Sequence, residues 1–203
     1  MNSRHLVFLG PPASGKGTQG RRLADELGLA YLSTGALLRC ALRDDTALGK
    51  KARPYLDRGE YVPDEVMVPM VLEWVDDQED GWLLDGFPRT VPQAVALDDL
   101  LKVKPHALIL HVPDEELRRR SACRLECVDC HLVTKEGKGD ICSECGGRLE
   151  PRADDVAANF NNRLAEYKRL VVPAITYYCD KGRARILNGV GSPDEVYARV
   201  RGI

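Results

Sequence analysis

Residues 10–18 read GPPASGKGT, and no other stretch limits the possible folds so tightly. The apolar run RHLVFLG leads into this loop, and GKGTQGRRLADELG leaves it with helical spacing at Leu23 and Leu27. Strand, glycine loop and helix in that order form a phosphate cradle. Gly10 and Gly15 let backbone N–H groups turn towards phosphate oxygens, Lys16 adds a charge, and the helix N-terminus adds its dipole. A bare glycine turn is the plain alternative, and the lysine directly after the second glycine argues against it.

The loop departs from its usual pattern at one place. Ser or Thr commonly follows the lysine to hold Mg²⁺, but here Gly17 stands before Thr18. Magnesium is then left to phosphate oxygens, water and another side chain. Asp85, closing the apolar run WLLD, is the candidate, although a strand-end Asp can also cap the next turn.

Further apolar runs read as strands: GWLLDGF, PHALILHV (105–112) and ARILNGV (184–190). Helical spacing covers about 16–27, 35–44, 63–78, 92–101, 114–125 and 155–180, with Pro173 predicting a kink or break. The alternation predicts an α/β fold, a parallel sheet with helices on both faces. Two intervals stand outside it. Residues 33–62 read as short charged helices without a strand, and 126–153 as a polar, glycine-rich segment. Both are expected as insertions at the sheet edge, where ligands of open α/β sheets bind.

The second insertion holds CVDCHLVTKEGKGDICSECGG, with Cys127, Cys130, Cys142 and Cys145 in two C-x-x-C pairs. With 203 residues, no signal-peptide core and no apolar span, the chain is expected to be cytoplasmic, where clustered cysteines are metal ligands before they are disulfides. One Zn²⁺ wrapped by four thiolates has no open position, so it would be structural; sulfur ligation admits iron as well. The segment has few large apolar groups, Leu125, Val128, Leu132, Val133, Ile141 and Leu149, and needs such a staple. Cys40, Cys123 and Cys179 lie apart and read as small packed side chains.

A zinc-ribbon nucleic-acid binder is the reading from another class. Net charge is −2, and in the cysteine segment Lys135, Lys138 and Arg148 face Glu126, Asp129, Glu136, Asp140 and Glu144. No aromatic residue there offers a stacking face, so no nucleic-acid partner is expected.

GPPASGKGTQ, STGALLR (33–39), LLDGFPRT (83–90) with Gln93, RADD (152–155) and NRL (162–164) occur in the order seen in adenylate kinases. The chain resembles that family from residue 5 to about 200, and the paired cysteines before RADD resemble the zinc-bearing lid of the long bacterial-type enzymes. The resemblance implies a five-stranded parallel P-loop sheet flanked by helices and the reaction ATP + AMP ⇌ 2 ADP. It also implies a core (1–32, 63–124, 156–203), a helical AMP-binding insertion (33–62) and a lid (125–155). The substrates would be ATP, AMP and ADP, with Mg²⁺ carried by ATP, structural Zn²⁺, no membrane partner and a monomeric enzyme.

By the same resemblance, Ala13, Ser14, Gly15, Lys16, Gly17, Thr18, Arg120, Arg124 and Gly191 would meet ATP, with Arg120 flanking the adenine. Thr34, Gly35, Arg39, Gly59, Glu60, Tyr61, Val62, Gly86, Phe87, Pro88, Arg89 and Gln93 would meet AMP. Arg152 and Arg163 would reach across the transferred phosphate, and Asp154 and Asp155 would hinge or brace the lid. Lys16, Asp85, Arg89, Arg124, Arg152, Arg163 and the two aspartates make up the catalytic set. Ala36 stands where the family has an acid, Leu125 where it has a second arginine, and the stretch from Cys130 to Cys142 is short. His131 is a loose candidate for the adenine.

Such a set suits phosphoryl transfer. AMP's phosphate is already anionic and needs no general base, so the task falls to cations that offset repulsion and hold the moving charge. Guanidinium forks grip phosphate oxygens in pairs. Arg120 and Arg124 are four apart, on one face of the expected helix 114–125, while the other arginines of RRR (118–120) are expected to face water. Another nucleoside monophosphate kinase, acting on UMP/CMP or using GTP, is the near rival; a non-catalytic nucleotide-binding regulator would require a broken arginine set.

Overall fold

Five short segments line up as one parallel sheet in the computed structural model, which describes residues 4–101, 104–130, 132–134, 140–152, 155 and 157–202. They are β1 (His5–Leu9), β2 (Ala30–Ser33), β3 (Trp82–Asp85), β4 (His106–His111) and β8 (Ala184–Asn188), in the order β2-β3-β1-β4-β8. Val7 of β1 lies opposite Leu84 of β3 on one side and Ala107 of β4 on the other. The chain therefore works first to one side of β1 and later to the other. Such a reversal places a ligand crevice beyond the strands' carboxyl ends.

The central strands are apolar throughout because both faces are covered. Val7, Leu9, Leu84 and Ile109 pack with Met67 and Val71 of α4 (Asp64–Asp76), Leu97 of α5 (Val91–Leu100) and Ile175 of α8 (Val172–Asp180). Leu6, Phe8, Leu83 and Leu108 pack on the opposite face with Leu23 of α1 (Lys16–Leu27) and Val196 of α9 (Pro193–Arg201). Side chains alternating across each strand sort these two cores.

Three elements differ from the expectation. The fifth strand is β2, a four-residue stretch just before the 33–62 insertion that no apolar run announced. α9 was not anticipated; a Ser192 capping box starts it, with Glu195 closing back on the Ser192 backbone. The single helix expected over 155–180 is α7 (Ala157–Glu166), a π-helical turn (Tyr167–Val171) and α8. Pro173 cannot donate to the preceding turn, and the wider turn before it takes up the mismatch.

The 33–62 interval holds α2 (Thr34–Arg43) and α3 (Ala47–Leu56), packed on each other. After α6 (Asp114–Ala122) comes a small antiparallel sheet of β5 (Leu125–Cys127), β6 (Val133–Thr134) and β7 (Leu149–Pro151), in the order β6-β5-β7. The cysteine segment is thus more regular than its polar composition suggested. Cys127, Cys142 and Leu149 are buried at its centre, against partly buried Leu125 and Leu132. Ile141, counted among its apolar groups, is 59% exposed. No described helix is long and apolar enough to cross a membrane.

Candidate active site

The glycine loop leaves β1 at its carboxyl end and runs into α1 through Gly15, which takes a left-handed conformation at the helix cap. At Gly10 a Cβ would lie 2.8 Å from the carbonyl oxygen of Leu110, so only glycine lets the loop pass this close to β4. Ala13 also adopts a positive φ, 62°, a strained conformation for a residue with a Cβ and one met most often at functional loops. Within the loop the Ser14 hydroxyl is buried and has no hydrogen-bond partner among the described residues. A buried polar atom without a partner is costly in a finished core but is what a loop awaiting phosphate oxygens would present. Lys16 donates to the Pro11 carbonyl at 2.9 Å. Burial pushes its ammonium down to about 8, against the opposing pull of the Asp85 charge.

A cavity of about 410 Å³ opens over the loop, within the range of small-ligand sites. Its walls include Ala13, Ser14, Gly15, Lys16, Gly17 and Thr18 from the loop and helix start, and Gly35 and Arg39 from α2. Asp85, Gly86, Arg89, Arg124, Arg152 and Arg163 complete the part the sequence pointed to. Lys16 and the five arginines that the sequence singled out thus converge on one space from six parts of the chain.

Second contacts hold these cations in place. Arg124 donates from Nε and Nη2 to the two Asp155 oxygens at 2.6 and 2.5 Å, and Arg163 adds Nη1 at 3.2 Å. Burial, then the Arg152 charge, depresses the Arg124 pKa, as expected where like charges crowd. Arg124 itself lies beyond the end of α6, not on the helix as expected, because the helix stops at Ala122. Arg120 remains on the helix and ties three elements together. It pairs with Glu116 at 2.7 Å and donates to the carbonyls of Ser14 at 3.1 Å and Gly189 at 2.9 Å. Arg119 pairs with Glu116 at the surface, while Arg118, expected to face water, donates to Asn161 of α7.

Asp85 closes β3 and points at the loop: a Cβ on Gly17 would sit 3.4 Å from its Oδ2. The Tyr31 hydroxyl donates to the same oxygen at 3.0 Å. Burial, the Asp85 charge and this bond push the tyrosine's pKa up, so the hydroxyl stays protonated and serves as donor. Asp154 and His131 lie outside the described residues.

Not every expected contact residue faces this cavity. Tyr61 and Pro88 line a smaller adjoining space of about 50 Å³, also bordered by Lys16, Arg89 and Arg163. Val62, Phe87 and Gln93 border a remnant of about 10 Å³ beside Leu38. Arg89 stacks over the Tyr61 ring at 4.4 Å and joins these spaces to the main cavity. Gln93 accepts from the Arg89 backbone at 2.7 Å and donates to Asp64 at 2.6 Å, which fixes its amide. The Thr34 hydroxyl donates to the Gly86 carbonyl at 3.0 Å. Gly86 has φ 80°, and a Cβ there would meet the Arg89 Nη2 and Thr34 hydroxyl, both at 3.1 Å.

Glu60 stands away from all three spaces, because Arg58 holds its carboxylate at 2.9 and 2.7 Å on the surface. Gly59 packs against α7: a Cβ would meet the Asn159 carbonyl at 2.9 Å. Gly191 sits in the loop after β8, outside the cavity walls, and Arg120 links that loop to the glycine loop through Gly189. Ala36 lines the cavity, whereas Leu125 turns into the cysteine cluster.

Several wall residues were not foreseen: Arg21, Arg22, Asp25, Tyr31, Leu132 and Val133. Arg21 and Arg22 follow the loop on α1, and basic residues just past a phosphate loop were a usable signal. Tyr31 was hidden with β2. Leu132 and Val133 form an apolar part of the wall that the polar composition of their segment concealed.

The four cysteine Sγ atoms lie within 4.8 Å of one another, with Cys127 and Cys145 3.4 Å apart and Cys130 and Cys142 3.6 Å apart. A tetrahedral ion with metal–sulfur bonds of about 2.3 Å would space them about 3.8 Å apart, so one thiolate-bound ion fits the cluster. None of the four is joined in a disulfide.

Fold and cavity together define a P-loop phosphotransferase: a phosphate cradle at the switch point of a parallel sheet, ringed by guanidinium groups. The family model for adenylate kinase matches residues 8–183. An adenylate kinase of Archaeoglobus fulgidus is 42% identical over 210 residues, covering 98% of this chain and 97% of the relative. One of Methanosarcina barkeri is 40% identical over the same coverage, and one of Bacillus pumilus is 38% identical over 97% of this chain and 96% of its own length. The chain belongs to the adenylate kinase family.

Proposed function

We propose that the cavity transfers the terminal phosphoryl group of Mg-bound ATP to AMP, reversibly, giving two ADP. The observation that carries this reading is the convergence of Lys16, Arg39, Arg89, Arg124, Arg152 and Arg163 on one cavity above a glycine loop whose Ser14 hydroxyl has no partner among the described residues. Loop N–H groups, Ser14 and Lys16 would hold the ATP phosphates, with Thr18 at the start of α1. Arg39 and Arg89 would hold the AMP phosphate, and the adjoining spaces lined by Tyr61, Val62 and Gln93 would open to admit the base.

An AMP phosphate oxygen would attack the γ-phosphorus in line, and the bond from that phosphorus to the β–γ bridging oxygen would break. Charge spreads over the equatorial oxygens and collects on the departing ADP. Arg124, Arg152 and Arg163 would take up the first, and Lys16 the second. The magnesium that ATP brings neutralises phosphate charge, and Asp85, oriented by Tyr31, is the carboxylate that would hold its water shell. No protein base takes part. Leu132 and Val133 close the wall with apolar surface, which would keep water from competing with AMP as the acceptor.

The reading includes three parts that move as bodies: the core, the insertion 33–62 and the lid 125–155. The four cysteines would hold one Zn²⁺ as a structural staple for the lid. The reading also takes the enzyme to be a monomer working in the cytoplasm.

The test is ADP formation from ATP with AMP, CMP, UMP or GMP as acceptor. AMP is expected to win by a wide margin; preference for a pyrimidine monophosphate or for GMP would overturn the acceptor assignment.

A further inference from the structure

The lid's central strand carries a carboxylate with an unusual position. β5 is Leu125–Cys127, and its two outer residues turn into the cysteine cluster. By the alternation of a strand, Glu126 between them faces the other way, beside its cross-strand neighbour Val133, which lines the cavity. Glu126 is 7% exposed. Its Oε1 accepts from Arg39 Nε at 3.2 Å, and its Oε2 accepts from Arg152 Nε. Arg39 stands on α2 of the insertion, Arg152 directly after β7 of the lid, and both side chains line the cavity.

We propose that Glu126 is a positioning residue that locks the insertion to the lid through one shared carboxylate, and thereby couples the two nucleotide subsites. The inference rests on the phosphotransferase reading above, with Arg39 at the AMP phosphate and Arg152 at the transferred phosphoryl group.

A buried carboxylate is tolerated only with charged partners, and two guanidinium groups brought to one cavity repel each other. Glu126 answers both needs at once, one oxygen to each arginine. It can do so only when the lid sits over the insertion, because its two partners belong to different parts. A second contact crosses the same junction: Arg43 of α2 donates to the Val128 carbonyl in the lid. Interaction free energy that exists only in this docked arrangement makes closure over one nucleotide favour closure over the other. Such coupling is reciprocal, each ligand tightening the other by the same factor.

The experiment measures AMP binding with and without a saturating non-hydrolysable ATP analogue and Mg²⁺, in wild type, Glu126→Gln and Glu126→Asp. Wild type is expected to bind AMP about 5–150-fold more tightly with the analogue present, the usual size of such coupling. Glu126→Gln is expected to bring that factor below about 3 while AMP affinity without the analogue stays within about 3-fold. Glu126→Asp, too short to span both arginines, is expected to lose most of the coupling, and serves if the glutamine variant fails to fold. The KM for AMP should rise at saturating ATP and not at limiting ATP. A purely structural role would lower thermal stability and leave the coupling factor alone. Full coupling retained in whichever variant folds overturns the proposal. If wild type binds another monophosphate in place of AMP, the acceptor assignment fails instead, and the same titrations with that nucleotide test the lock.

Discussion

Asp155 gives both carboxylate oxygens to Arg124, at 2.6 and 2.5 Å, and the Arg163 guanidinium shares one of them at 3.2 Å. A single buried anion thus holds two of the proposed phosphate-binding cations at a fixed separation. Asp155→Asn removes the charge and leaves two guanidinium groups crowded in a poorly solvated site. Breaking a buried pair this way costs about 3–5 kcal/mol. At about 2–4 °C per kcal/mol for a chain of this size, the melting temperature should fall by roughly 6–20 °C. Calorimetry should also show much of that deficit recovered with a bisubstrate nucleotide analogue, whose phosphates replace the missing anion. A deficit that the analogue leaves unchanged would place Asp155 outside the phosphate network.

Nucleotide binding should be linked to protonation of Lys16. Burial sets the free-site ammonium at about 8, below its ordinary value of 10.5. Bound phosphates favour the charged form and so raise the pKa in the complex. Affinity for Mg-ATP is then fully present below about pH 8 and declines as pH rises through and above that value, by up to tenfold per pH unit. Near pH 8.5 binding should take up protons, visible as buffer-dependent enthalpy in titration calorimetry. Affinity that is flat from pH 7 to 9.5, without proton uptake, would contradict this linkage.

Tyr31→Phe isolates the bond to Asp85 while leaving the ring in place. Hydrogen bonds to charged groups contribute about 1.5–3 kcal/mol, a factor of roughly 10–150. The loss should appear chiefly in the Mg²⁺ concentration needed for half-maximal rate, with the KM for AMP little altered. A variant whose Mg²⁺ dependence matches wild type would remove Tyr31 from that role.

Metal removal should separate stability from chemistry. Stripping with a thiol-competing chelator is expected to release one Zn²⁺ per chain and to lower the melting temperature. Activity measured well below the new transition should persist at a reduced rate. Activity abolished where the stripped protein is still fully folded would make the metal more than a staple.

The sheet's central strands were legible because burial on both faces forces continuous apolar runs, as in LVFL and WLLD. β2 was not, since AYLS at the sheet edge is half-buried along its whole length and carries no such run. The loop, Asp85 and the arginines were legible through short spacings that local backbone geometry enforces. What distant parts of the chain do to each other was not. Glu126 counted only as one negative charge in a mixed segment. Its place opposite Arg39, 87 positions away along the chain, exists only in the folded arrangement that pairs β5 with β7 and sets them beside α2. Glu60 shows the converse: its near neighbour Arg58 holds its carboxylate at the surface, away from the cavity walls.

The strand that opens the lid and the strand that ends it are hydrogen-bonded neighbours, Leu125 opposite Pro151. The chain therefore departs from and returns to the core at almost one point in space. Among the described residues, the apolar side chains between those two cluster with one another and join neither face of the parallel sheet, so the segment behaves as a cassette hung on that one junction. The short run from Cys130 to Cys142 is one length such a cassette can take, and exchanging it for a lid of another length would leave the folding of the parallel sheet undisturbed.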